Sequence, residues 1–321
     1  MRPYELDIDL ASVDPDGLCD GNSSAITQLV LDGALTSGED ANGLASGNSS
    51  AGTSVTLDAA LTVGGVYVDA TGSPRHITIL DTGADDQTTA TYTINGLDVN
   101  GNVLAESIAG PGTSLFIHSV NRFASVSSIT ISAPVAGSTV DIGVNGVFIS
   151  SDGLGRRLNI IGSAHVQTGS TYTITGTDAD GLAETEDLTG PGSGATVETV
   201  KYFKTVTNIV TSAGVASSSI DFGTVDEACS QTLPLNYRAN EPANYQSNVT
   251  GTADFRIDET MSDVTSLTNP SADSTWLQVA AKGTVDVQLE GTRHNRAMRV
   301  VVDSHSAAAE IQTIVFQNES I

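Results

Sequence analysis

Apolar and polar residues alternate with a period of two along most of this chain, in short runs. His76-Ile77-Thr78-Ile79-Leu80, Thr91-Tyr92-Thr93-Ile94, Leu104 to Ile108 and Val126 to Ile131 are such runs. Gly, Asp, Asn or Pro separates each from the next, which is the spacing of short strands joined by turns. β-Branched and aromatic residues fill the runs, as a pleated, half-buried surface favours. The 3.6-residue recurrence of an amphipathic helix is absent from them, so the pattern predicts an all-β protein.

The pattern is also written twice. TYTINGLDVNGNVLAESIAGPG, Thr91 to Gly112, returns as TYTITGTDADGLAETEDLTGPG, Thr171 to Gly192, with half its positions identical. The same offset carries Val120, Phe123, Val126 and Ile129 onto Val200, Phe203, Val206 and Ile209. Upstream it slips by one, so Gly65-Val66-Tyr67-Val68 matches Gly146-Val147-Phe148-Ile149. The chain therefore holds tandem small β-sandwich (Ig-like) modules of about 80 residues each. Comparing the chain with itself marks inward positions: Ile77, Ile79, Tyr92, Ile94, Ile108, Phe116, Phe123, Ile129 and Ile131 in the first copy. In the second they are Leu158, Ile160, Tyr172, Ile174, Leu188, Val197, Phe203, Val206, Ile209 and Ile220.

Around the modules the pattern weakens. Residues 1–60 are acidic, rich in Gly, Ser and Asn, and contain GNSSA at Gly21 to Ala25 and again at Gly47 to Ala51. They read as an extended N-terminal arm that orders against a neighbouring subunit, or as a loose tail. Only Ala25 to Leu35 has the apolar content of a short helix or strand. The modules follow at 61–144 and 145–226, a proline-bearing linker at 227–248, and a C-terminal β domain at 249–321 that is not an obvious third copy.

Charge narrows the function. Of 321 residues, 13 are Lys or Arg and 38 Asp or Glu, a net charge of −25. Such a surface repels nucleic acid and anionic membranes and keeps a concentrated protein soluble. Cys19 and Cys229 lie far apart in sequence and give neither a disulfide framework nor a metal pairing, which fits assembly in a reducing compartment. The N-terminus lacks the apolar stretch of a signal peptide, and no run approaches a membrane span.

The hairpin pattern TYTI-x-G-x-D-x-[ND]-G, followed by GPG and a short Phe-containing strand, resembles repeats in structural proteins of tailed bacteriophages. The C-terminal unit, with Ala253 to Val264, the Trp276 segment, Arg296 to Val302 and Val315-Phe316-Gln317, is similar to another β domain of such proteins. The resemblance implies a virion structural protein, foremost a head decoration or minor capsid protein. Its partners would be other virion proteins, major capsid or tail subunits, and further copies of itself. A tail or head-tail connector component (tube, ring or fibre-base subunit) is the alternative, and a host-surface-binding adhesin module a third.

Candidate chemistry is sparse. Asp178-Ala179-Asp180-Gly181, with Asp98-Val99-Asn100-Gly101 at the equivalent place, resembles the opening of a calcium loop. Neither copy completes the loop, and a hairpin turn needing positive φ at Gly is the favoured reading. The Gly110-Pro111-Gly112 and Gly190-Pro191-Gly192 segments read as structural turns. His76, His118, His165, His294 and His305 show no metal-ligand spacing, so no cofactor or metal is expected. No nucleophile elbow or phosphate loop occurs, and a carboxylate pair without aromatic platforms makes a poor glycosidase, so catalysis is not expected. Arg293, Arg296 and Arg299, with Arg156 and Arg157, form either a docking patch for an acidic partner subunit or pairs within their own domain.

Overall fold

The computed structural model describes residues 4–23, 29, 31, 36–37, 40–69, 74–83, 86–113, 116–133, 139–162, 166–213, 219–236, 243–264, 267, 274–279, 286–290, 295–306 and 308–317. Among them every regular element is a strand, and the strands form several small sheets. The chain divides into two compact units: Val30–Asp32 with Thr36–Val147, and Met1–Leu29, Gly33–Leu35 with Phe148–Ile321.

The first unit is the first repeat. One sheet runs Phe116–Phe123, Arg75–Asp81, Thr139–Val144, Asp40–Ser49; the other runs Thr62–Val63, Val66–Val68, Ser125–Ile131, Thr91–Leu97, Val103–Ala109. Alternate residues of the strands point inward, as the period of two demands. Ile77, Ile79, Tyr92, Ile94, Phe123, Ile129 and Ile131 are buried together, and Ile108 packs at the margin. Full burial of each such side chain is worth about 1.5–3 kcal/mol.

The second unit joins the second repeat to the C-terminal domain. Ala183–Thr189, Thr171–Thr177, Thr205–Thr211 and Val147–Ile149 make one face of the second sandwich; Thr196–Glu198, Gly155–Gly162 and Ser219–Cys229 make the other. Ser219–Cys229 does not stop at the end of the repeat. It runs on to pair with Ala297–His305 through Ala228 opposite Val302 and Cys229 opposite Val301. The sheet then continues into Ala253–Thr260 and Leu277–Gln278. Residues 227–229 of the expected linker are thus ladder, and the strand Asn244–Thr250 takes up the linker's end. The C-terminal core of Tyr245, Phe255, Ile257, Met298, Val300 and Ile311 also receives Leu154 and Ala228 from the second repeat.

The described strands of the first sixty residues pair within their own chain. Tyr4–Asp9 pairs antiparallel with Glu310–Phe316 of its own C-terminal domain. Cys19–Ser23 pairs with Ser219–Cys229 of the second repeat, with Asn22 opposite Ile220. Asp40–Ser49 pairs with Thr139–Val144 of the first, with Asn48 opposite Val140. Gly21 to Ser23 and Gly47 to Ser49 of the two GNSSA segments therefore end equivalent strands of the two sandwiches. The likeness extends further: CDGNSSAITQLVLDGAL, Cys19 to Leu35, and ASGNSSAGTSVTLDAAL, Ala45 to Leu61, agree at ten of seventeen positions. Leu29 N–H donates to Ile209 O at 2.9 Å, and Val55 N–H to Ile129 O at 3.0 Å, at matching places. The domains are nested. The C-terminal domain opens and closes the chain, the second repeat is split within it, and the first repeat is inserted within the second. Most of Ala25 to Leu35 lies outside the described residues.

Candidate functional site

The duplication holds at the level of single hydrogen bonds. Tyr92 O–H donates to Gln87 Oε1, and Tyr172 O–H to Gln167 Oε1, inside the two cores. Burial pushes each phenol up to about 12, so both remain neutral donors. Glu106 accepts Val120 N–H and Asn121 N–H at 2.6 and 2.8 Å; Glu186 accepts Val200 N–H and Lys201 N–H, both at 2.8 Å. Ser119 and Thr199 hydroxyls each accept from the opposite strand, Ile77 N–H and Leu158 N–H, both at 2.8 Å. In each tyrosine strand a glycine is obligatory, because a Cβ at Gly96 or Gly176 would lie 1.8 Å from Ser125 O or Thr205 O.

The calcium candidates close turns. Asp98 Oδ1 accepts Asn100 N–H and Asn102 N–H, both at 2.8 Å, and Asp98 Oδ2 accepts Asn102 Nδ2 at 3.0 Å. The Asn102 side chain leads the interactions that hold this carboxyl below its ordinary range. Asp178 Oδ1 accepts Asp180 N–H and Leu182 N–H in the same manner. Gly101 and Gly181 both take φ of 79°, the left-handed conformation that this loop requires. Asp180 turns away to accept Thr232 N–H and Oγ1–H at 2.6 and 2.7 Å. Among the described residues no group of three or more His, Cys, Asp or Glu could hold a metal ion.

The two turns differ in environment. Asp98 is half-buried, whereas Asp178 is fully buried with its Oδ2 unpartnered. Burial, reinforced by the nearby Asp180 charge, raises the Asp178 carboxyl to about 6.

The arginines converge within the second unit. Arg157 bridges Glu198 at 3.2 Å and Glu227 at 2.5 Å. Tyr202 O–H donates to the same Glu227 at 2.6 Å. Arg256 binds Asp258 at 3.3 Å and also Asp303. Arg299 reaches Asp258 at 3.5 Å, its guanidinium 4.3 Å from the Trp276 ring centroid and 5.7 Å from that of Tyr202. Arg156 is buried against Asp152, donating also to Ala11 O at 3.0 Å. Arg296, a third exposed, pairs with Asp263 at 2.9 Å. Arg293 lies outside the described residues. Of the two readings of these arginines, the geometry is that of pairing within the chain. Arg157, Tyr202 and Glu227 come from the second repeat and Arg256, Asp258 and Arg299 from the C-terminal strands, so the network ties the two together. Cys229 lies beside it, and burial raises its thiol to about 11, leaving it protonated.

The histidines carry one arrangement that spacing did not reveal. His76 and His118 are both buried in the first repeat on neighbouring strands. His76 Nδ1–H donates to Ser119 O at 2.8 Å, His118 Nδ1 bonds Thr78 Oγ1 at 2.9 Å, and His118 Nε2 has no partner. The second repeat has Arg157 and Glu198 at these two places, and they form an ion pair. Substitution of both members together is the signal the sequence held. His165 and His294 lie outside the described residues.

No protein-family model matches the chain, and no curated protein does. Among solved structures, the chain is similar to one from Sulfolobus Turreted Icosahedral Virus, at 10% identity and a TM-score of 0.22, covering 78% of this chain and 81% of that one. The insecticidal δ-endotoxin Cry8Ea1 from Bacillus thuringiensis follows, at 6% identity and a TM-score of 0.15, covering 77% and 53%. Likenesses this slight carry no argument about what the chain does.

Proposed function

We propose that the protein is a structural component of a virus particle, a head decoration or minor capsid protein that binds other virion subunits and catalyses nothing. The observation that carries this reading is how its ionisable groups are used. The arginines of the second unit pair with carboxylates of their own chain, and Arg256 of the C-terminal domain reaches Glu227 of the second repeat at 4.0 Å. Both repeats use a carboxylate, Glu106 or Glu186, to hold equivalent main-chain N–H groups. The chain carries a net charge of −25, and sheet edges remain to meet a neighbour. The resemblance of the tyrosine hairpins to repeats of tailed-phage structural proteins points the same way.

The test is immunogold labelling of particles from the producing culture with antibody raised against the purified chain. Regular labelling of heads is the expected result. Label confined to tails would move the protein to the tail or connector, and unlabelled particles would overturn the virion reading.

A further inference from the structure

The two sandwiches differ at one strand in a way their shared fold does not require. Val103–Ala109, VLAESIA, ends its sheet in the first repeat; Ala183–Thr189, AETEDLT, ends the equivalent sheet in the second. The second edge is closed at its middle: Thr185 N–H donates to Glu184 Oε1 at 3.0 Å and Thr185 O accepts from Lys201 Nζ at 2.8 Å, while Asp187 sets an exposed charge beside them, as an edge kept from pairing with another chain would have. The first carries Glu106 alone, and that carboxylate is turned aside onto Val120 N–H and Asn121 N–H. Its outward residues Val103, Ala105, Ser107 and Ala109 are exposed and uncharged, Val103 being 88% exposed.

Main-chain geometry shows which groups are free. Val103–Ala109 pairs with Thr91–Leu97 from Leu97 opposite Val103 to Thr91 opposite Ala109. Beyond its ends Gly110 N–H donates to Ala90 O and Asp98 N–H to Asn102 O. Ladder bonds alternate along an antiparallel pair, so Leu104, Glu106 and Ile108 bond inward. The N–H and C=O of Val103, Ala105, Ser107 and Ala109 therefore point away from the sheet.

We infer that this edge is a self-association surface, on which Val103–Ala109 pairs antiparallel with the same strand of a second copy. The occupant follows from charge. Two copies of a chain at −25 repel over most of their surfaces, and a strip whose one acid is already engaged is where like copies approach at least cost. A two-fold axis makes such a contact self-complementary. With Ala105 on the axis, Glu106 faces Leu104 of the other copy, avoiding like charges directly opposite. The inference does not depend on the virion reading, since a free dimer would satisfy it and unlabelled particles would leave it standing.

Sedimentation velocity of the full chain from about 1 to 100 μM in 0.15 M salt is the test. Concentration-dependent dimer is expected. Ala105→Pro removes an outward donor and keeps the inward ladder, so it should weaken association at least tenfold, whereas Thr185→Pro at the equivalent place in the second repeat should not. Cys19 and Cys229 are buried, so an Ala105→Cys chain offers one accessible thiol; mild oxidation should give covalent dimers that Thr185→Cys does not, whether or not the proline variant folds. A wild-type monomer throughout, or equal crosslinking of both cysteine variants, would overturn the inference.

Discussion

Lowering the pH from 8 to 5 is expected to open the first repeat while the second stays closed. Burial holds His76 at about 4 and His118 at about 3, against 6.5 in an unfolded chain. A basic group whose folded pKa is depressed takes its proton more readily when unfolded, so stability falls as pH drops through 6.5 and keeps falling until the folded values are reached. At pH 5 the unfolded repeat carries both protons nearly in full and the folded repeat almost neither. Each site then costs about 2 kcal/mol relative to pH 8, and the two together about 4 kcal/mol. That is a large part of the stability of a small domain, about 5–15 kcal/mol. The surrounding charges do not remove the effect. Arg122, opposite His76, adds to it, while Glu106 acts more weakly in the other direction. The ion pair of Arg157 and Glu198 replaces both histidines in the second repeat. Amide hydrogen exchange of the whole protein, corrected for intrinsic rates, should show protection over Arg75–Asp81 falling about a thousandfold between the two pH values, the equivalent of 4 kcal/mol. Gly155–Gly162 should keep its protection. Equal losses in both strands would refute the reasoning, as would an unaltered pH response in a chain carrying H76R and H118E together.

Other perturbations follow from the same geometry. Asp178→Asn keeps the acceptor used by Asp180 N–H and Leu182 N–H and removes a buried charge, so stability near pH 7.5 should rise by about 1 kcal/mol. A raised carboxyl gains its proton in the fold as pH falls through 6, so in urea titrations this advantage should vanish by about pH 5. Arg299→Ala leaves Asp258 to Arg256 alone and should cost about 3 kcal/mol, measured by urea unfolding with Trp276, the single tryptophan, as probe. Gly176→Ala meets Thr205 O at an impossible distance and should cost about 3 kcal/mol or more, read as a fall in the unfolding midpoint; an unchanged midpoint would mean that the two strands do not approach closely at Gly176.

The repeat was legible because packing constrains it. Tyr92 and Tyr172, Ile94 and Ile174, and Phe123 and Phe203 are kept in kind, and all six are buried. Phe116, Leu188 and Val197 were expected inside and are only partly buried, since each lies on a strand at the edge of its sheet. The nesting was written in the chain too, in GNSSA and the residues after it, yet those segments lack the aromatic residues that make a strand conspicuous. A strand supplied from far away in sequence is held by backbone pairing, to which composition is blind. The arginines show a different limit. Their types and clustering were plain, but whether a guanidinium meets its own chain or another depends on tertiary placement. Arg299, between Trp276 and Asp258, is determined by strands distant in sequence.

The nested architecture makes one deletion decisive. In the first repeat the chain passes from its opening segment into the sandwich as Leu61-Thr62-Val63-Gly64-Gly65-Val66-Tyr67; removing residues 39–145 would join Leu35-Thr36-Ser37-Gly38 to Gly146-Val147-Phe148 and create the same connection in the second. The shortened chain should unfold cooperatively in urea with Trp276 as probe and keep slow amide exchange across Thr171–Thr177. A non-cooperative transition with unprotected amides in that strand would contradict the insertion of one repeat within the other.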